Sequence, residues 1–579
     1  MYLSPEEKAI GKDNFQAAIG SKAIRRELLM KSIKEDIKSG KGLGSLYYGY
    51  GSVSDPIRVG VIGTGDEGSV LLGAINPKYI MVRAIADIRP YNVWRAFNGD
   101  HYSAEANKTR PGLMRVYGWK TEDEAKKNVK VYGPYEELIA HAKQDGIEAV
   151  VIAVPLHLHA PVAIAAMKAG LHVITEKLMG HTVHECKEMS RMAEQTKLLL
   201  ATGHQRHYNI LYDDSVELIR KGVLGQLHSI RAQWHRGNLP GHDSWQQPMP
   251  KAAKPDDPQA HKLEKDLEEW SAALKQIKSE KGKSAAEWEK KIAQVRAQIA
   301  DAVDAQKFGY VDHDVTDGSG KVVYHRPAVE ELIRWRLWDR TGAGLMAELG
   351  SHQLDAASIF IAAAHGGEKQ HPLSVAAAAN RPLFPADRDV EDHVYCIFEF
   401  PAPGYDAKDP IASRKKIGVQ YASINGNGFG GYGETVLGTE GTLVLETERD
   451  AMLYKTSDTS SKTKVVTAKS GAKKGSAVLQ VDEAGDPESA AIGVLGTLPA
   501  DRGYTEELEH WAWCIRNRGP KNENLPHCHP KVAMGDAVIA LTSNLAARKG
   551  ERIEFKKEWF DIQSDETPEG EKPNLGRYK

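Results

Sequence analysis

The chain has 579 residues, of which 41% are hydrophobic, with 76 Lys and Arg against 78 Asp and Glu. A single hydrophobic core stops growing at about 250–300 residues, so we expect at least two domains. The balanced charge provides no global field for nucleic acid or anionic membranes, and no apolar run reaches the ~20 residues that span a bilayer.

Residues 1–55 are predicted to form an N-terminal extension that ends in a linker rich in Gly, Tyr and Ser. Arg25-Arg26 faintly resembles a twin-arginine export signal, but KSIKEDIK, which follows shortly after, is not an apolar segment. We therefore predict an amphipathic helix there and no export. The four cysteines lie far apart without a CxxC pair, which is typical of reduced thiols in a cytoplasmic protein.

Residues 56–203 alternate between short apolar strands and helical segments. The strand-like runs are IRVGVIG, MVRAIAD, AVVIAVP, HVITEK and LLLATG, and the helical stretches include 135–144, 160–169 and 183–196. Strand–helix alternation with apolar strands predicts a parallel, doubly wound sheet of the Rossmann type, and therefore an α/β fold.

Residues 204–560 change to longer alternating strands, such as HSIRAQWHR and VYCIFEF, with fewer helices between them. This pattern predicts a C-terminal α+β domain on a mostly antiparallel open sheet, followed by a tail at 561–579. Within about 250–310, apolar residues recur at heptad-like spacing on both sides of Lys281-Gly282-Lys283, which indicates an antiparallel helical hairpin. We expect a self-contained surface insertion, with a subunit contact or a lid over the active site as the alternatives. Residues 455–501 are rich in Ser, Thr, Lys, Gly and Ala and are predicted to be a polar loop.

A glycine-rich turn between the first strand and the next helix carries the dinucleotide signal. Its residues are Gly63, Thr64, Gly65, Asp66, Glu67 and Gly68. The first glycine allows the tight turn, the second lets the backbone approach a pyrophosphate, and the third permits close helix–strand packing. Asp87 ends the next strand and is expected to bond the adenosine ribose, which favours NAD. Arg89 could pair with a 2′-phosphate, so NADP stays possible.

The segment Ala149–Met179 resembles the Gfo/Idh/MocA family, which includes glucose–fructose oxidoreductase and inositol dehydrogenase. The matching positions, in the order of that family's motifs, are Pro155, His159, Ala169-Gly170, His172-Val173, Glu176-Lys177, Trp335-Arg336, Gly342–Asp355 and Gly438–Gly441. Two positions depart from the pattern: Leu178 stands where a proline follows the lysine, and Glu348 replaces an aspartate. Both put the local geometry of the substrate pocket in question.

The resemblance implies an NAD-dependent oxidoreductase that transfers a hydride between nicotinamide and a hydroxyl carbon of a sugar, glycoside or polyol. It also implies that Lys177 contacts the reacting hydroxyl and Glu176 the nicotinamide ribose. Pro155, His159, Gln205 and Trp335-Arg336 are further cofactor contacts that it suggests. Family members commonly form dimers or tetramers, so a homo-oligomer is expected.

The catalytic hypothesis combines Lys177 with a helical segment. Glu348, His352 and Asp355 stand at i, i+4 and i+7, which places them on one face of a helix. A carboxylate one turn from an imidazole can orient it and raise its basicity. We therefore expect His352 to exchange the hydroxyl proton, or to position the hydroxyl, together with Lys177.

Two polar clusters at predicted strand ends are candidates for sugar contact. They contain His204, Gln205, Arg206 and His207 in one case, and Trp234, His235, Arg236 and Asn238 in the other. Aromatic rings beside polar groups suit sugar recognition. His527-Cys528-His529 lacks a partner pair at zinc-like spacing, so we predict a polar loop there and no metal site.

Two other functions compete with the dehydrogenase. NAD-dependent glycoside hydrolases oxidise a sugar hydroxyl transiently, eliminate the aglycone and reduce the product again with tightly bound NAD. An NAD-sensing protein that uses the helical hairpin as its partner surface is a non-enzymatic alternative. The segment ELGSHQLD, at Glu348–Asp355, favours the dehydrogenase over both.

Overall fold

The computed structural model describes residues 3–20, 43–255, 257, 259, 261–279, 285–467, 477–481, 502–519 and 523–578. The amphipathic helix predicted after Arg25-Arg26 and the break predicted at 281–283 lie outside these residues. None of the described helices is long and apolar enough to cross a membrane. All four cysteines are buried and free.

The first sheet has six parallel strands in the order β3-β2-β1-β4-β5-β6, which confirms the predicted doubly wound arrangement. Its strands are β1 (Ile57–Ile62), β2 (Ile80–Ala86), β3 (Lys130–Tyr132), β4 (Ala149–Ile152), β5 (His172–Glu176) and β6 (Leu200–Gly203). Strands such as β4 are buried along their whole length because helices cover both faces of the sheet. The main helices that follow these strands are Asp66–Ala74, Pro90–Asn98, Tyr135–His141, His159–Lys168 and Val183–Thr196.

The second sheet has eight strands in the order β15-β14-β13-β7-β12-β11-β10-β18 and is antiparallel except between β12 and β7. Its strands are β7 (Leu227–His235), β10 (Ser374–Asn380), β11 (His393–Pro401), β12 (Lys416–Ile424), β13 (Tyr432–Gly438), β14 (Thr442–Glu446), β15 (Asp450–Tyr454) and β18 (Ile553–Glu554). Buried and exposed residues alternate along β11, as expected for a sheet with one covered face. Helices Ile210–Arg220, Ser351–Ala364 and Pro530–Lys549 pack on the covered face and close the largest apolar core.

The helical insertion forms as predicted, with helices Lys262–Ser279 and Ala286–Ile299 packed against each other. It is not isolated on the surface. Gln294 of the second helix donates to Tyr91 and Asp100 and accepts from the backbone of His101, all near helix Pro90–Asn98. A short hairpin, β8 (His313–Thr316) with β9 (Val322–Arg326), follows the insertion.

The linker and the segment predicted as a polar loop both contain regular elements where irregular chain was predicted, and the N-terminal extension contains a further helix. The N-terminal extension contains helix Pro5–Ile19, which packs on β15 through Asn14, and the linker contains helix Leu43–Tyr48. The segment predicted as a polar loop contains β16 (Thr463–Thr467) and β17 (Ala477–Val481), which pair antiparallel. Leu479 of β17 is buried in the large core, so short β-branched and apolar runs outweigh the polar composition there.

Candidate active site

A cleft of about 1080 Å³ lies at the carboxyl ends of β1, β2, β4 and β5. Ligands of doubly wound sheets bind at this edge, where the strand order reverses. Here the order reverses between β1 and β4. Residues from the second sheet, from the insertion and from segment 334–352 close the opposite wall.

The glycine-rich turn has the geometry that a dinucleotide requires. Gly63 has a φ of +83°, and a side chain there would meet the carbonyl oxygen of Ala153 at 2.3 Å. A side chain at Gly68 would meet the carbonyl oxygen of Gly63 at 2.1 Å, so this glycine brings helix Asp66–Ala74 against β1. A side chain at Gly65 would have no neighbour closer than 3.8 Å, so the space beside its backbone is open to a phosphate at the helix N-terminus.

We expect Gly68→Ala to weaken NAD binding by at least about tenfold and to lower stability by about 1–3 kcal/mol, because the helix must move away from the glycine turn. Fluorescence titration with NAD and thermal unfolding measure the two effects. Gly418→Ala is the matched control, since its added methyl group meets nothing within 4 Å. Unchanged NAD affinity in Gly68→Ala would contradict the assignment of this turn.

Asp87 stands at the end of β2 and lines the cleft. Its carboxylate accepts hydrogen bonds from the backbone amides of Thr64 at 2.7 Å and Arg89 at 2.9 Å, and from the side chain of Asn92. Burial raises the pKa of Asp87, although these bonds oppose the shift. The carboxylate is thus fixed beside the glycine turn, where a ribose would lie.

Arg89 is not free to receive a 2′-phosphate. Its guanidinium donates to Asp301 at 2.9 and 2.8 Å, and the Asp301 carboxylate, 1% exposed, also accepts from the backbone of Tyr91 at 3.0 Å. Asp301 follows the second insertion helix. Through Asp301 the insertion therefore holds Arg89, which lines the cleft, and the sequence analysis did not predict this contact.

Two carboxyl groups in the same cleft each have one buried oxygen atom without a hydrogen-bond partner. Oε1 of Glu67 and Oε1 of Glu176 are both buried and unpartnered. Burial and the neighbouring charge of Glu67 raise the pKa of Glu176 to about 8. Such orphaned polar atoms fit a bound group that offers hydroxyl or amide partners.

Lys177 and Glu348 meet at the centre of the cleft. The Lys177 ammonium donates to the carbonyl oxygen of Glu348 at 2.7 Å and lies 3.7 Å from its carboxylate. Arg336 donates to the same carboxylate at 2.7 Å. Burial alone would raise the pKa of Glu348, but the charges of Arg336 and Lys177 lower it to about 2. The Lys177–Leu178 peptide bond is cis although residue 178 is not proline.

His352 lines the cleft beside Trp234, with ring centroids 5.5 Å apart. Its Nδ1 is buried and has no hydrogen-bond partner. Burial, together with the charges of Lys177 and Arg206, holds its pKa well below the usual range. The imidazole is therefore neutral and able to accept a proton.

The predicted common face of Glu348, His352 and Asp355 is wrong. Residues Met346–Gly350 form a π-helical turn before helix Ser351–Ala364, which changes the spacing of side chains. Glu348 and His352 line the cleft, whereas Asp355 accepts from His207 at 2.8 Å outside it. Within the described chain no hydrogen bond joins Glu348 to His352, so the carboxylate anchors Lys177 and Arg336 instead.

Five residues of the two predicted polar clusters do not line the cleft: His204, Gln205, Arg206, His207 and His235. Gln205 and Arg206 are buried against Glu448, and Arg206 also donates to Glu434 and to the carbonyl oxygen of His352. His235 lies between Trp234 and Arg236, which do line the cleft, because alternate side chains of a strand point to opposite faces. These placements correct the predicted direct contacts of Gln205, Arg206 and His235.

Thr64 and Gly68 of the glycine-rich turn do not line the cleft themselves, whereas seven other predicted residues do. They are Asp66, Pro155, His159, Trp335, Arg336, Arg236 and Asn238. Both ring nitrogens of His159 contact backbone carbonyl oxygens, of Leu178 at 2.7 Å and of Val154 at 2.9 Å. His159 therefore holds the ends of β4 and β5 together, next to Lys177.

Several lining residues carried no motif. Arg502 and Tyr504 enter the cleft from the start of helix Tyr504–Arg516, and Trp245 and Tyr432 enter from the second sheet and its loops. The guanidinium of Arg236 lies 5.6 Å from the ring centroid of Trp234 and 5.5 Å from that of Trp245. The aromatic and cationic wall suits a ring-shaped, hydroxylated ligand.

Residues 57–204 match the family model GFO_IDH_MocA, described as an oxidoreductase family with an NAD-binding Rossmann fold. A glycosyl hydrolase family 109 protein of Stenotrophomonas maltophilia is 31% identical over 181 residues, which are 30% of this chain and 35% of that protein. An uncharacterized oxidoreductase of Schizosaccharomyces pombe is 33% identical over 112 residues, 19% of this chain and 30% of that protein. The chain thus aligns with about a third of the length of these relatives.

A solved structure shares the fold. It is an inositol dehydrogenase homolog from Azotobacter vinelandii in complex with NADH and myo-inositol, 14% identical, with a TM-score of 0.50 over 87% of this chain and 98% of that one.

Proposed function

We propose that this chain, whose residues 57–204 match the model of the Gfo/Idh/MocA family of NAD-binding oxidoreductases, is a member of that family and oxidises a hydroxyl group of a sugar, glycoside or polyol. The observation that carries the proposal is the convergence of Lys177 and the neutral imidazole of His352 in the cleft beside the glycine-rich turn. NAD bound there would accept a hydride from the carbinol carbon.

The residues of the chain divide the remaining work. An ammonium has three donors, and the Glu348 carbonyl oxygen takes one from Lys177, which leaves donors for the substrate hydroxyl. His352 accepts the hydroxyl proton as the carbon–oxygen double bond forms. Arg336 and Glu348 fix the ammonium in place, and Trp234 with Trp245 packs on the sugar ring.

The proposal is tested by NADH formation with a panel of free sugars, glycosides and polyols. We expect steady, substrate-dependent NADH production in proportion to the amount of oxidised product. Release of aglycone from nitrophenyl glycosides without net NADH would overturn it in favour of the hydrolase.

That hydrolase is the second candidate function. The relatives of glycosyl hydrolase family 109 favour it, as does the insertion, which lines part of the cleft through Gln294 and Gln298. A redox-neutral reaction needs a cofactor that stays bound. Retention of NAD through gel filtration, together with aglycone release, would distinguish this function.

Asp301→Ala is expected to improve the use of NADP relative to NAD by about tenfold, because a freed Arg89 gains a charge-assisted partner in the 2′-phosphate. The ratio of kcat/KM values for the two cofactors measures the effect. The double variant Asp301→Ala/Arg89→Ala is the control and should lose the gain. An unchanged ratio in the single variant would mean that Asp301 does not set cofactor preference.

We also propose that the chain is a homo-oligomer. The uncovered face of the second sheet exposes Tyr395 and Ile397, the latter by 59%. Light scattering on the purified chain tests this, and a monomer at micromolar concentration would contradict it.

A further inference from the structure

A buried cluster of metal-type ligands lies behind the helix that carries His352. The side-chain donor atoms of His204, Cys528 and Asp536 lie within 4.8 Å of one another, and those of His207, Asp355 and Asp536 do so as well. None of these residues lines the cofactor cleft. They come from the end of β6, from helix Ser351–Ala364 and from the start of helix Pro530–Lys549.

The cluster has unsatisfied donor atoms that point to a missing ligand. Both ring nitrogens of His204 are buried and without a hydrogen-bond partner, as are Oδ2 of Asp355 and Oδ2 of Asp536. His204 Nδ1 lies 3.6 Å from Asp355 Oδ2, which is too long for a hydrogen bond. Buried polar atoms of this kind are costly unless something binds them.

We propose that this cluster is a structural zinc site, with His204, Cys528 and Asp536 as ligands and Asp355 as the fourth. Imidazole, thiolate and carboxylate are the groups that zinc takes in a tetrahedral site. His207 already bonds Oδ1 of Asp355 at 2.8 Å and thereby orients that carboxylate from outside.

The charges around the site balance with a divalent ion. A thiolate and two carboxylates supply three negative charges, and zinc supplies two positive ones. The third comes from Lys369, whose ammonium donates to Oδ1 of Asp536 at 2.6 Å and to the carbonyl oxygen of Val532 at 3.1 Å. Lys369 occupies one oxygen of Asp536 and leaves the other, Oδ2, for the metal.

The proposed ligands come from three segments that are far apart in the chain. The ion would tie three distant segments together directly behind His352.

The test measures zinc on the full chain, without any turnover assay. The protein is stripped with a chelator, given zinc alone and desalted. We expect one bound zinc per chain by elemental analysis, a higher unfolding temperature, and a thiolate-to-metal absorption band when cobalt(II) replaces zinc. Substoichiometric zinc in the folded wild-type chain would overturn the proposal, whatever reaction the cleft performs.

Cys528→Ser and Asp536→Asn locate the site. Each should lose the bound zinc and the zinc-dependent rise in unfolding temperature, and Cys528→Ser should lose the cobalt–thiolate band. Cys514→Ser is the matched control, because Cys514 is also buried and lies 3.5 Å from a histidine nitrogen, that of His510, outside the cluster. If both variants fail to fold, the cobalt band and zinc content of the wild-type chain decide. Full zinc retention in folded Cys528→Ser would contradict the ligand set.

Discussion

Lys177→Met is expected to lower kcat by about 10²–10⁴-fold while leaving NAD affinity close to that of the wild-type chain. The variant keeps the length of the side chain but removes the ammonium that donates to the Glu348 carbonyl oxygen at 2.7 Å and that would hold the substrate hydroxyl. Steady-state rates of NADH formation and a separate NAD titration measure the two quantities.

The control for this experiment is Lys126→Met. Lys126 is exposed and pairs with Glu122 on helix Glu122–Asn128 of the first domain. The control variant should keep full activity. His352→Gln should also lose activity, and the double variant should lose little more than either single one, since both groups act on one hydroxyl. Lys177→Met with unchanged kcat would remove Lys177 from the reaction.

Arg206→Met should destabilise the chain by about 3–5 kcal/mol, because it leaves two buried carboxylates without their main cation. Arg206 donates to Glu448 at 2.8 Å and to Glu434 at 3.0 Å, and all three side chains are at most 1% exposed. Arg502 still holds Glu448 at 2.7 Å, so Glu434 carries the larger loss. Chemical denaturation measures the free energy of unfolding.

The loss should depend on pH. Burial raises the pKa of Glu434 to about 7 even though the charge of Arg206 opposes the shift, and removing Arg206 raises it further. When the pKa of a carboxyl group is higher in the folded than in the unfolded state, the folded protein becomes less stable as the pH rises above the pKa of the unfolded state, here about 4.5. Between about pH 4.5 and pH 7 both proteins lose this stability alike, so the deficit of Arg206→Met should grow as the pH rises above about 7.

Two further variants delimit this result. Arg552→Met is the control. The Arg552 side chain is 52% exposed and forms ion pairs with Glu399 and Glu554, which should contribute at most about 1 kcal/mol to the free energy of unfolding. Adding Glu434→Gln to Arg206→Met should recover part of the lost stability. A pH-independent deficit would show that lost packing, and not the buried charge, sets the cost.

The sequence predicted those parts of the molecule that depend on residues close together in the chain. Apolar strands that alternate with helices led to the parallel sheet, because covered strands need apolar side chains on both faces. Gly63, Gly65 and Gly68 follow β1 directly, so their role in the turn follows from their spacing. Lys177 could be placed in the cleft from its position at the end of β5.

Tertiary structure decided which polar side chains share a site. A helix of uniform pitch would align Asp355 with Glu348, but the π-helical turn at Met346–Gly350 sends Asp355 towards His204 and His207. Gln205 and Arg206 follow a strand end, yet both are buried because they donate hydrogen bonds to Glu448, and Arg206 also to Glu434, from the second sheet and its loops. Such partners stand more than 200 positions away, beyond any local pattern.

The sequence by itself determined three features: the parallel, doubly wound type of the first sheet, the glycine-rich dinucleotide turn, and the position of Lys177 at the end of a strand. Each of them depends on residues that are close together in the chain. Only the folded chain decided that Asp301 of the insertion pairs with Arg89 and that Glu348 pairs with Lys177. It alone gathers His204, Cys528 and Asp536 behind the active site. Those arrangements depend on charge pairing and burial between distant segments, whose energies appear only once the segments are packed together.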